Sequence, residues 1–240
     1  MPRKRALLGK EKELIELYQA GWPFKKIADH FDCTESTVRL ELDRLGVREI
    51  PSRQKMIKHF QKIQHEDEFF FYLGVIWGLG SMLGEKLAVR TKQKDLLLNM
   101  ANYMKYVSGP YQASKEKPDQ WQIHFRLGHP IYECLESLGW QPRSEKDRDY
   151  PNGDVNDDEF IRGFVRVHHS LDKIKLKGKY ADRLRIYGGE KILRKIDDFF
   201  VDHLGTTPKK VQRHGQSDIC HILYYQSKRE IPILKAFLGI

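Results

Sequence analysis

Hydrophobic positions along the chain change period several times, and each change predicts a different element. Near the start, Leu14, Leu17 and Tyr18 fall at i, i+3 and i+4, the stripe of an amphipathic helix that Gly21 closes. Trp22-Pro23 restarts the chain with a proline suited to an early helical position, and Ile27, Ala28 and Phe31 make a second short apolar face. Thr34 then supplies an N-cap for a third helix, in which Val38, Leu42 and Leu45 recur at i, i+4 and i+7 before Gly46. This pattern predicts a three-helix domain over residues 1–48. Pro51-Ser52 breaks the chain again. Met56, Phe60 and Ile63 then stripe a helical linker over 49–67, whose other face carries Lys55, Lys58, His59 and Lys62 and is read as solvated.

From residue 68 the pattern repeats itself. One segment, from Phe71, reads FYLGVIWGLGSML, and a second, from Phe160, reads FIRGFVRVHHSLD. Each puts an apolar helix with an early glycine ahead of a strand pair. Each continues with an amphipathic helix (Asp95 to Tyr106, Glu190 to Leu204), two more strands and a short last helix (Ile131 to Leu138, Ile231 to Leu238). Leu79 lines up with His168, a period of 89 residues, with repeats over about 68–142 and 157–240. A duplicated mixed unit with so long a period implies a pseudo-twofold α+β domain of αββαββα type, not a solenoid. The most apolar run, Phe69 to Leu83, is fifteen residues long. A bilayer span needs about 20, so the run is read as a buried helix.

The strands alternate in a way that brings charge into the picture. Trp121, Ile123, Phe125 and Leu127 alternate with Gln122, His124 and Arg126. Ile174 and Leu176 alternate with Lys173, Lys175 and Lys177, and Leu184 and Ile186 with Arg183 and Arg185. Arg90 and Lys92 follow Val89, and Lys210, Gln212 and Arg213 form a basic segment before the last strand. The polar partners are the residue types that contact phosphates and purine edges. The chain carries a net charge of +9, with 32 Lys and Arg against 25 Asp and Glu after Arg48, which favours a polyanionic partner. Cys33, Cys134 and Cys220 have neither zinc-ligand spacing nor an even count, so reduced thiols are expected. The basic start is followed by only Ala6, Leu7 and Leu8, which is not a secretory signal. A cytoplasmic protein, with no cofactor and no membrane association, is expected.

The stretch AGWPFKKIADHFDCTESTVRLELDRLG resembles the helix-turn-helix domains of bacterial regulators and recombinases. That resemblance implies a third helix in the major groove, with Ser36, Thr37 and Arg39 facing bases or phosphates. Lys25 and Lys26, opening the second helix, suit a phosphate. A three-helix module that contacts protein is the other reading. Pro2 to Arg5 is either a minor-groove arm or a solvated tail.

Tyr72 to Gly80 (YLGVIWGLG) and Ile161 to His169 (IRGFVRVHH) resemble degenerate copies of the LAGLIDADG motif of homing endonucleases. The resemblance covers about Glu68 to Ile240. It implies two motif helices paired at the centre, with Gly74 and Gly78 opposite Gly163 and Val167, and two sheets forming a saddle for duplex DNA. Active members hold divalent metal with an acidic residue near the end of each motif helix, because the chemistry needs hard oxygen ligands. Leu79 and His168 stand there in this chain, and Trp77 and Arg166 occupy the other acidic position. Glu85 and Asp172 lie beyond the helix ends. No catalytic or metal-ligating residue is therefore expected. The expected function is sequence-specific binding of double-stranded DNA by one chain, as a transcriptional regulator derived from an inactive nuclease. An active endonuclease, an RNA-binding maturase and a protein-interaction adaptor stay open as alternatives.

Overall fold

The computed structural model describes residues 7–47, 53–142, 144–145, 148–176 and 178–240. The chain divides into two units, Met1–Ser52 and Arg53–Ile240.

The first unit is three helices, α1 (Glu11–Gln19), α2 (Phe24–His30) and α3 (Glu35–Arg44). Leu7, Leu14, Ile27, Ala28, Phe31, Val38 and Leu42 are all buried and form its core. The predicted stripes face inward, with Leu17, Tyr18 and Leu45 packed at the edge. Thr34 caps α3 by accepting the Thr37 amide at 3.2 Å, which satisfies one of the orphan donors of the first turn. The turn ahead of it needs a left-handed residue, and Asp32 takes that conformation at φ 49°, a region aspartate tolerates better than most side chains. The predicted basic arm at Pro2 to Arg5 and the break at Pro51-Ser52 lie outside the described residues.

The second unit begins with α4 (Arg53–Ile63). Its lysine face (Lys55, Lys58, Lys62) is exposed, and its apolar stripe packs into the second unit. Met56, Phe60 and Ile63 are buried, the Phe60 and Phe69 rings meet edge-on at 5.5 Å, and Tyr103 donates to the Ile63 carbonyl. An apolar stripe three residues deep has to be covered, and the body of the second unit covers it.

Two copies of one unit follow. The first is α5 (Asp67–Leu79), β1 (Gly80–Leu83), β2 (Lys86–Thr91), α6 (Lys94–Met104), β3 (Val107–Ser114), β4 (Lys117–Phe125) and α7 (Ile131–Ser137). The second is α8 (Asp157–His168), β5 (His169–Leu176), β6 (Lys179–Gly188), α9 (Glu190–Leu204), β7 (Gln212–Arg213), β8 (His221–Tyr225) and α10 (Glu230–Leu238). The two antiparallel sheets have matching orders, β1-β2-β4-β3 and β5-β6-β8-β7. Leu87, Val89, Ile123 and Phe125 of one sheet and Leu184, Ile186, Leu223 and Tyr225 of the other enter a single core built around α5 and α8. The first hairpin is the shorter one. β1 offers four paired residues and β5 eight.

The α5–α8 contact positions everything else. A Cβ on Gly74 would lie 2.1 Å from the Phe160 carbonyl oxygen, and one on Gly163 would lie 1.8 Å from that of Phe71. The two contacts are each other's equivalents under the 89-residue repeat, so the helices touch backbone to backbone at two symmetric points. Gly78 gives way in the same manner to the His168 ring and Val167. At the start of the pair, Asn156 caps α8 by accepting the Glu159 amide and donates its amide to Asp67, the first residue of α5, at 2.8 Å.

A buried polar network orders the loop before β7. Glu230, 7% exposed, accepts from the Thr207 amide and hydroxyl, each at 2.8 Å, and from Lys209 at 2.9 Å. Asp197 accepts from the Lys209 amide at 2.8 Å and the Tyr225 hydroxyl at 2.6 Å. Burial pushes the Glu230 carboxyl up, but bonds from Thr207 and Lys209 outweigh it and hold the group below the ordinary carboxylate value.

Two stability measurements test this packing. Gly163→Ala forces a methyl group onto a carbonyl that can retreat only if the helices separate, and should cost about 3 kcal/mol in urea unfolding; a loss under about 1 kcal/mol would show that the spacing is not fixed there. Glu230→Gln should cost about 2 kcal/mol at neutral pH. Because the folded carboxyl titrates below its unfolded value, that stabilisation is present above the ordinary glutamate range, near about 4.3, and fades as pH falls through the folded value. The gap between wild type and variant should close in acid, and a pH-independent gap would contradict the assignment.

Candidate nucleic-acid interface

Directly paired residues on neighbouring strands share a face, so the registers sort the predicted polar residues. In the first sheet Ala88 pairs with His124 and Arg90 with Gln122, while Val89 pairs with Ile123. Arg90, Gln122 and His124 therefore lie opposite the core, with Ser108 and Tyr111 of β3 beside them. In the second sheet Ser170 pairs with Arg185, Asp172 with Arg183 and Leu171 with Leu184. Arg183 and Arg185 lie opposite the core, joined by Tyr187, Ile222 and Tyr224. Gln212 pairs with Ile222 on that face, and its amide reaches the Tyr224 hydroxyl at 3.3 Å.

Three predicted residues depart from this scheme. Lys173 pairs with Asp182 and Lys175 with Tyr180, in step with Leu184 and Ile186. Both lysines consequently sit on the face opposite Arg183 and Arg185, and Ile174 takes the polar side. Lys173 and Lys175 are exposed and Ile174 half-buried, because the far end of the hairpin extends past the core and burial no longer dictates which side chain faces which way. Arg213 pairs with His221 on the core side of β8 and salt-bridges Asp218 at 3.3 Å. Lys177 lies outside the described residues.

The arginines opposite the core are held, not free. Gln122 is 6% exposed and accepts from Arg90 Nε at 3.2 Å and Nη2 at 3.0 Å. The glutamine expected to contact DNA is therefore covered by the arginine it holds. Asp172 accepts from Arg183 Nε at 3.1 Å and Nη2 at 2.7 Å, and from Arg185 Nη2 at 3.1 Å. The Arg183 guanidinium, with Arg185 adding to it, keeps the Asp172 carboxyl below the ordinary carboxylate range. His124 bonds the Tyr111 hydroxyl, and burial, with Lys86 and Arg90 nearby, pushes its imidazole below the ordinary value. Lys92 salt-bridges Asp119 at 2.6 Å, whereas Arg126, just past β4, and Lys210 are exposed. Asp172 and the tyrosines 111, 187 and 224 escape a reading by alternation, since only the cross-strand register reveals their neighbours.

In the first unit, Lys25, Ser36 and Arg39 are exposed. Lys26 sits over the Trp22 ring at 3.8 Å. The Thr37 hydroxyl is bonded to that of Thr34 at 3.0 Å. Arg39 is braced by Glu35 at 3.0 Å and lies 5.0 Å over the Phe24 ring, and Leu40 beside it is 74% exposed.

The ends of α5 and α8 carry the positions where metal would be held. Leu79 is part of the buried core. His168 stacks on Phe164 at 4.9 Å, and His169 bonds the Val165 carbonyl at 2.8 Å. Trp77 donates its indole N–H to the Asp149 carbonyl at 2.9 Å. Asp172 is turned to its two arginines, and Glu85 is exposed between β1 and β2. An alkyl group and an imidazole stacked on a phenyl ring do not fit a divalent cation that requires oxygen ligands. Among the described residues no cluster of three or more His, Cys, Asp or Glu gathers. No helix among them is long and apolar enough to cross a membrane.

No protein-family model matches the sequence, and neither does any curated protein. Solved structures do match. The meganuclease I-SmaMI bound to uncleavable DNA superposes with a TM-score of 0.50 at 12% identity, over 70% of this chain and 82% of its own. A double mutant of I-SmaMI gives 0.50 at 11% identity, over 70% and 84%. The N-terminal LAGLIDADG domain of DUF199/WhiA aligns over 78% and 92%, at 14% identity and a TM-score of 0.49. Sequence identity this low identifies the architecture alone: the duplicated αββαββα unit has the LAGLIDADG fold.

Proposed function

We propose that this protein binds double-stranded DNA in a sequence-specific manner, without cutting it, and serves as a transcriptional regulator. The observation that carries the reading is the pairing of two features in one fold. Each repeat turns a sheet face with fixed guanidinium groups (Arg90 in one, Arg183 and Arg185 in the other) away from the core, while the helix ends carry Leu79 and His168 in place of carboxylates. Arginine forks suit guanine edges and phosphates alike. I-SmaMI, with the same fold, is bound to DNA in its crystal structure. The three-helix unit supports the reading through the exposed side of α3, where Ser36 and Arg39 suit a major groove as in a helix-turn-helix, and Lys25 suits the backbone. Arg126 and Lys210 serve as phosphate contacts.

Selection from a random duplex pool, followed by titration across salt concentrations, tests this. We expect a defined consensus and a log–log salt slope of about −4 or steeper. Lys210→Ala should weaken binding to every duplex alike and flatten the slope by about 0.9, whereas Arg39→Ala should change the preferred bases. Absence of duplex binding at about 50 mM salt, where phosphate contacts are strong, would sink the reading. A specific double-strand break produced with magnesium would refute its non-cleaving part.

A further inference from the structure

A carboxylate on a face that meets DNA repels the phosphates, yet Asp172 sits on such a face between two arginines. The three groups form a partly accessible network, Asp172 at 33% and Arg183 and Arg185 each at 27% exposure, and accessibility alone assigns it no role. Its geometry is more telling. A guanidinium has a side edge, Nε with Nη2, and an end edge, Nη1 with Nη2. Asp172 grips Arg183 by the side edge, with separate oxygens for Nε and Nη2. Among the described residues nothing accepts from Nη1 of Arg183. The end edge is left as a rigid donor pair, the arrangement that matches O6 and N7 of guanine. Gln122 grips Arg90 by the same side edge, through one neutral oxygen. The two repeats thus brace an arginine in the same way, one with an amide and one with a charge.

We propose, on the basis of the DNA-binding reading above, that Asp172 is a positioning residue for base readout. It fixes Arg183 so that the end edge takes a guanine in the major groove, and its charge opposes non-specific contact with backbone phosphates. The carboxyl lies below the ordinary range, so this opposition operates throughout neutral pH. The second repeat gives up affinity for discrimination, and the first does so less because its brace is uncharged.

The experiment compares wild type, Asp172→Asn and Arg183→Lys as full-length chains. The readouts are random-pool selection, then competition between the selected duplex, copies with each guanine replaced, and an unrelated duplex. Asp172→Asn keeps an acceptor for the guanidinium but loses the second charged oxygen. We expect preference for one guanine to fall on the order of tenfold, while affinity for the unrelated duplex rises a few-fold. Arg183→Lys keeps its charge without the fork and should lose the same guanine preference with an unchanged salt slope. Circular dichroism and urea midpoints matching wild type establish that both variants are folded. Unchanged guanine preference in Asp172→Asn overturns the proposal, as does a parallel loss of selected and unrelated binding in a folded variant. A wild type that binds duplex but selects no guanine overturns it and leaves the broader reading standing; a wild type that binds no duplex overturns both.

Discussion

The central helices α5 and α8 meet backbone to backbone, not side chain to side chain. Gly74 against Phe160 and Gly163 against Phe71 bring α5 and α8 to a separation that no larger residue permits, and both sheets are hung from the ends of this pair. β1 leaves α5 at Gly80 and β5 leaves α8 at His169 without an intervening loop. The spacing and orientation of the two sheets therefore follow from the helix crossing. Packing of this kind is unforgiving, because interiors are dense and a carbonyl cannot rotate out of the way as a side chain can.

Much of this architecture was legible in the sequence, for physical reasons that also mark where legibility ends. The helices and the repeat were readable because burial imposes a period, and the close approach of the two central helices at Gly74 and Gly163 was what the family resemblance implied. Alternation failed at Lys173 and Lys175. There the β5–β6 hairpin extends past the core, both of its faces are wet, and the side each residue takes is decided by pairing with β6, which is fixed by Leu184 and Ile186 being buried. Gln122 was misjudged for a related reason. Its polar side chain does point away from the core, but Arg90 lies over it, and cover by a neighbouring strand is a tertiary fact. In α4 the stripe was recognised and its partner was not, since Met56, Phe60 and Ile63 say that something covers them without saying what.

The electrostatics of the sheet faces show how little net charge reveals. The excess of basic residues lies in the second unit, but several are engaged within the protein: Lys92 by Asp119, Arg213 by Asp218, Lys209 by Glu230, and Arg183 and Arg185 by Asp172. Such pairs lower the long-range field and hold side chains in defined orientations. A loosely basic surface favours any polyanion; braced arginines favour a ligand whose acceptors are in the right places.

The bond between Asn156 and Asp67 spans 89 residues, the length of the repeat, so it joins the same position of the two copies across the pseudo-twofold axis. In a dimer of identical chains, that position would meet itself, carboxylate against carboxylate or amide against amide. Within one chain the two copies need not be self-complementary. One is the donor and the other the acceptor, and, a few turns further along, Gly78 of the first copy stands where the second has Val167, and it is Gly78 that makes room for the Val167 side chain and the His168 ring. The halves have become lock and key to each other. A symmetric pair built from two copies of either half would lack the donor–acceptor match between Asn156 and Asp67.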